Sequence, residues 1–145
     1  MRWGLIILVA AVSVLVSLLG ILGILPSAWW LSLLIWVVLA IVLGQFAKAK
    51  FFMHGFLTGL ISALIGALLI YLLYDSYAAN NPAIMEKAQK MPAGVNMRSM
   101  ILYTSPLNAG IAGVVMGLLT LLAGKIFAPK KEDTSPPEST ETPTP

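Results

Sequence analysis

Apolar residues along this chain come in long, nearly unbroken runs. From Gly4 to Leu25 only Ser13 and Ser17 interrupt the first of them, with Arg2 before it and Pro26 at its end. Those 22 residues would extend about 33 Å as a helix, enough for a hydrocarbon core of about 30 Å. A cleaved signal peptide is the competing reading, with Arg2 as its charged start and Pro26-Ser27-Ala28 as a loose cleavage site. The run is longer than the apolar segment of about 7–15 residues in a signal peptide and lacks a clean small-x-small end, which favours a retained helix.

Three further runs follow, at about 28–47, 52–74 and 106–127. Only Pro26-Ser27 separates the first two, and so short a turn predicts an antiparallel hairpin. Trp29 and Trp30 then fall at a membrane interface, where an indole keeps its ring among headgroups and its N–H in water. Lys48 and Lys50 occupy the short link before the third run, and Pro106 stands at the first position of the last helix, a site that tolerates its missing N–H. The pattern predicts an all-α fold: a bundle of four transmembrane helices within residues 1–129.

The one sizeable segment between runs is about 76–105. Asn81 as N-cap and Pro82 at the first position predict a short helix to about Lys90, stopped before Met91-Pro92-Ala93-Gly94. A second short helix, roughly Val95 to Leu102, is also expected. Residues 130–145 are rich in Pro, Ser, Thr and acidic side chains with nothing apolar to bury, which predicts a disordered tail.

Composition agrees with a membrane protein, at 59% hydrophobic and 10% charged residues, against about 45–50% and 25% in soluble domains. The net charge of +3 hides a split: residues 1–131 hold nine Lys/Arg against Asp75 and Glu86, while residues 132–145 hold four acids. Positive residues at the ends of apolar runs act as topology determinants and headgroup contacts, so no nucleic-acid partner is expected. One side collects Arg2, Lys48, Lys50, Lys125, Lys130 and Lys131, the other Lys87, Lys90 and Arg98. The positive-inside rule places both termini in the cytoplasm. With no cysteine in the chain, disulfides and thiolate chemistry are excluded.

Small residues recur at spacings of three and four. The series is Gly110, Gly113, Gly117, Thr120, Gly124 on the fourth run, Gly55, Gly59, Ser62, Gly66 on the third, and Ala10, Ser13, Ser17, Gly20 on the first. Ala40, Gly44 and Ala47 form a shorter version on the second. Such spacing keeps each series on one stripe, and in lipid, where no hydrophobic drive holds helices together, close backbone approach is what binds them. The stripes predict a packing seam within the bundle, a homo-oligomer contact or a contact to another membrane protein. A polar path lined by Ser13, Ser17, Ser62 and Thr120 is the transporter alternative.

Chemistry-bearing residues are few. His54 and Asp75, at opposite ends of the third run, and Arg98 in the outer segment are the candidate polar positions. His54 is expected to be satisfied by water or backbone, and Asp75 to pair with Arg98, Lys87 or Lys90. Met85, Met91, Met97 and Met100 could bind Cu(I) through thioethers, which makes an envelope metal or stress factor a further alternative, but their spacing equally suits helices lying on a bilayer. No Ser–His pair with an orienting acid, no paired carboxylates within a span and no phosphate-cradling loop is present. The expectation is therefore no enzyme, no catalytic residues, no metal and no cofactor.

The stretch Phe52-Met53-His54-Gly55-Phe56-Leu57-Thr58-Gly59, the Tyr-rich run end, Asn81-Pro82 followed by Met85-Glu86-Lys87, and the glycine-rich last run ending in Lys resemble an uncharacterised family of small bacterial four-helix membrane proteins, a domain of unknown function. The resemblance covers about Phe52 to Lys131 and implies a bundle in the cytoplasmic membrane, with no catalytic residues to carry over. The expected role is structural or accessory, through helix–helix packing.

Overall fold

A computed structural model describes residues 2–26, 29–47, 49–92 and 94–127. The proposed tail and the positions of Ser27, Ala28, Lys48, Lys130 and Lys131 lie outside the described residues. The order of elements is α1 (Trp3–Ile21), α2 (Trp29–Phe46), α3 (Phe51–Leu72), α4 (Tyr74–Asn80), α5 (Pro82–Gln89) and α6 (Met97–Phe127), and no strand occurs among the described residues. Three helices, α1, α3 and α6, are long and apolar enough to cross a membrane; α2 is equally apolar but shorter, at 17 residues from Trp30 to Phe46.

The long helices pack in the order α1, α3, α6, α2. α3 and α6 form the closest pair, α2 leans on α6, and α1 leans on α3 more than on α2, its neighbour in sequence. Side chains that face away from these contacts are large and apolar, such as Ile7, Leu8, Leu33, Leu34, Leu118 and Leu122. That arrangement is what a hydrocarbon solvent selects, since helices in lipid bury small residues against each other and leave the bulky ones outside.

The expected helix limits need correction at three places. The last helix begins at Met97, nine residues before the predicted start, and Pro106 lies inside it. Asn96 starts it as an N-cap, its Oδ1 accepting the Arg98 N–H at 2.9 Å. A proline within a helix leaves the carbonyl four residues back without its donor, here Leu102. Ser105 Oγ donates to that carbonyl at 2.7 Å and replaces the lost bond. The predicted short helix from Val95 to Leu102 is therefore the first two turns of α6. With 31 residues, α6 is about 46 Å long, so it outreaches a bilayer core at one end.

The third run divides at Leu73, where α3 stops and α4 takes over to Asn80. The first ends at Ile21, short of the predicted Leu25, because Gly23 adopts φ +74 and turns the chain. α5 starts with Pro82 as expected, but Asn81 does not cap it; its Nδ2 instead donates to the Tyr77 carbonyl at 2.8 Å.

Candidate functional site

At the end where α1 and α3 begin, His54 is 2% exposed. Its Nδ1–H donates to the Lys50 carbonyl at 3.0 Å, which leaves Nε2 to accept the main-chain N–H of Arg2 at 3.0 Å. Arg2 also donates through Nη1 to the Phe46 carbonyl at 3.2 Å, at the carbonyl-rich end of α2 where a cation is favoured. His54 thus ties the starts of α1 and α3 to the end of α2. Lys50, which precedes α3, holds a left-handed φ of 56 in this tight link.

The glycines of α3 and α6 meet each other within one chain. A Cβ placed on Gly59 would lie 2.7 Å from the Ala112 carbonyl oxygen, and one on Gly113 would lie 2.9 Å from the Phe56 carbonyl oxygen. Gly55 faces Met116 and Thr120, while Gly117 and Gly124 face the rings of Phe52 and Phe51. Gly44 of α2 approaches the backbone of Ala123 and Gly124 in the same way. Gly20 and Gly110, assigned to the same stripes by spacing, have open space where a Cβ would stand. Gly66 approaches only Ser17 Oγ, at 3.9 Å.

Beyond this seam the helices part and leave two adjoining, half-open cavities, of about 290 Å³ and about 360 Å³. Ser13, Ser17, Trp36, Gly66 and Ile70 belong to both walls. The first cavity adds Thr58, Ser62, Ser105 and Asn108 and is floored by Leu39 and Met116. Those two residues belong to an apolar cluster with Val9, Ala40 and Leu43, which fills the bundle between the cavity and the His54 end. The second cavity runs toward Leu25, Pro26, Tyr77 and Asn81. No charged side chain lines either.

The hydroxyls of this wall are not equivalent. Ser17 Oγ donates to the Ser13 carbonyl at 3.0 Å and Ser105 Oγ to Leu102, so their protons are used within their own helices. Thr58 Oγ1 and Ser62 Oγ are buried without any partner, as is Thr120 Oγ1 in the seam. A buried hydroxyl left in that condition costs about 1–3 kcal/mol.

The opposite end is organised by α4 and the start of α6. Arg98 Nε donates to the Tyr71 carbonyl at 2.7 Å, and its guanidinium lies 4.8 Å from the centre of the Tyr71 ring. The expected ion pair of Asp75 with Arg98, Lys87 or Lys90 is absent: Asp75 is exposed, Arg98 is taken up by Tyr71, and Lys90 pairs with Glu86 at 2.5 Å. Asn80 Nδ2 donates to the carbonyls of Ile21 and Ser76 at 3.1 and 2.9 Å, tying α4 to the end of α1. Burial, with a smaller contribution from Tyr74, raises the Tyr77 phenol above its ordinary pKa of 10.0. Met85 lies on α5, Met91 just after it, and Met97 and Met100 in the first turn of α6.

The structure therefore brings Ser13, Ser17 and Gly66 to the cavity and Gly55, Gly59, Gly113, Gly117 and Gly124 to the seam, and leaves His54, Asp75 and Arg98 at the bundle ends. Thr58, Ser105, Asn108 and Trp36 did not stand out in the sequence as lining residues. For Thr58 and Asn108 the signal is a polar side chain four residues from another in an apolar run, Thr58 before Ser62 and Thr104 before Asn108; Trp36 and Ser105 carry no such signal.

Fold and cavity together define an all-helical protein with three helices suited to crossing a membrane. Neither family models, nor curated proteins, nor solved structures give a match to the chain.

Proposed function

We propose that the chain is an integral protein of a bacterial inner membrane, crossing it four times with both termini in the cytoplasm, and that its role is non-enzymatic and accessory, exerted through helix contacts in the bilayer. The observation that carries this reading is the α3–α6 seam. Its glycines are spent on close contact inside the chain, while many bulky apolar side chains face outward, toward lipid or a neighbouring helix.

The fourth crossing is α2, whose apolar stretch of 17 residues from Trp30 to Phe46, interrupted by Ser32 and Gln45, reaches about 26 Å, short of the core by an amount that thinning or anchoring residues accommodate. The basic end that holds Arg2, Lys50 and Lys125 is the cytoplasmic one on the positive-inside rule. Reporter fusions after Pro26, Lys50, Gly94 and Lys131 test this topology. Cytoplasmic activity at Lys50 and Lys131 with periplasmic activity at Pro26 and Gly94 is expected; periplasmic activity at Lys50 overturns it.

A second reading, a small solute transporter, is favoured by the hydroxyl-lined cavity. Against it stands the apolar cluster of Val9, Leu39, Ala40, Leu43 and Met116, which closes one end. Flux across proteoliposomes well above that of empty liposomes would favour transport over the accessory role.

A further inference from the structure

We propose that the outward stripe of α6 through Asn108 is where a second copy of this chain docks, side by side in the same orientation, with the two Asn108 carboxamides hydrogen-bonded to each other. The proposal rests on the membrane topology given above and names the partner in the accessory reading.

Asn108 lies deep in its span. The register of α3 against α6 runs from Arg98 at Tyr71 to Gly124 at Phe51, which puts Asn108 about 15 Å from the first level and about 24 Å from the second. Yet the residue is exposed, on the rim of the first cavity and outside the α3–α6 seam. Its one bond among the described residues is long, from Nδ2 to Thr104 Oγ1 at 3.4 Å. Thr104 Oγ1 sends its own proton back to the Met100 carbonyl at 3.0 Å, so it brings none to Asn108 Oδ1. Lipid tails offer neither donor nor acceptor, and a carboxamide left to them is costly.

The residues in line with Asn108 form a helix-pairing pattern. Thr104, Asn108, Ile111, Val115, Leu118 and Leu122 follow one another at alternating spacings of four and three, the repeat of a left-handed helix pair. From Asn108 onward all of them are exposed, so the stripe is turned away from the other helices of its own chain. Asn108, Val115 and Leu122 share one position of the repeat, and a single asparagine there fixes register and helix number in such pairs.

The partner follows from the chemistry of the group. A carboxamide is donor and acceptor at once, so a second carboxamide is its direct complement. A two-fold axis along the membrane normal relates equal levels, and a second copy therefore brings its own Asn108 to the same depth. Reciprocal N–H···O bonds then satisfy both amides in hydrocarbon, where polar side chains hold helices together.

The test uses the full chain in liposomes. The sequence lacks cysteine, so one cysteine introduced on α6 reports one position. Ile111→Cys and Val115→Cys are expected to form disulfide dimers on oxidation with iodine, and Tyr103→Cys and Val114→Cys, on a neighbouring exposed face, are not. Copies labelled with donor and acceptor dyes at Pro145→Cys should show energy transfer that rises with the protein-to-lipid ratio. Asn108→Leu should weaken that association by about threefold to thirtyfold, and Asn108→Gln, which keeps the carboxamide, should retain it. Monomers at every ratio overturn the proposal, as do cross-links at 103 and 114 in place of 111 and 115, or association that Asn108→Leu leaves unchanged. The reporter fusions test the topology by themselves, so monomers with the expected topology sink this pairing alone.

Discussion

The main-chain N–H of Arg2 donates to Nε2 of His54 at 3.0 Å across 52 positions of sequence. With Nδ1 on the Lys50 carbonyl, the ring is an acceptor toward α1 and a donor toward the turn before α3. A histidine that could be taken for a proton relay serves here as a fastener for three helix ends.

His54→Phe keeps an aromatic ring but removes both bonds. It should lower stability by about 1–3 kcal/mol, measured as a drop in the thermal midpoint of the purified protein in detergent. An unchanged midpoint would remove the fastener role.

The seam predicts a contrast between glycines that spacing alone makes equal. Gly59→Leu must push α3 off the Ala112 backbone and should cost at least the roughly 1–3 kcal/mol of ordinary overpacking. Gly110→Ala places its Cβ in open space and should change stability by no more than about 0.5 kcal/mol. Thermal unfolding of the two variants side by side decides the matter; equal losses would mean that α3 and α6 do not meet as described.

Ser105 and Pro106 form a local compensation that a double-mutant cycle can isolate. Ser105→Ala leaves the Leu102 carbonyl without its 2.7 Å donor and should destabilise α6 by about 1 kcal/mol. With Pro106→Ala added, the restored N–H serves that carbonyl, and the loss from Ser105→Ala should shrink. Additive effects of the two changes would show that the hydroxyl does not stand in for the missing N–H.

Tyr77 supplies a pH prediction. Burial favours its neutral form, raising its pKa above 10.0, so it has no effect on stability below pH 10.0 and reduces stability as pH rises from there through the raised value. Alkaline difference spectra of the native protein and of Tyr77→Phe should differ by a phenol that ionises later than N-acetyltyrosine amide. Coincident titration would refute its burial at the mouth of the second cavity.

What the sequence determined by itself was the solvent and the helical state. Runs such as Gly4–Leu25 and 106–127 exclude water as their environment, and in lipid a single segment satisfies its backbone groups only as a helix. The start of α5 at Pro82 was legible for a local reason, since proline at a first helical position forfeits nothing. The start of α6 was not. Pro106 reads locally as a beginning, and only Ser105 bonding to Leu102 makes it an interior residue.

Tertiary structure decided which small residues touch, because a spacing of three and four defines a stripe but not what lies opposite it. Gly59 and Gly110 look alike along the chain, yet one lies against a backbone and the other meets nothing. It also decided the fate of the hydroxyls. Thr58 and Ser17 are each one polar residue in an apolar run, yet Ser17 spends its proton on the Ser13 carbonyl of its own helix and Thr58 is buried without a partner. Which outcome a hydroxyl meets depends on the side chains that other helices, distant in sequence, pack over it.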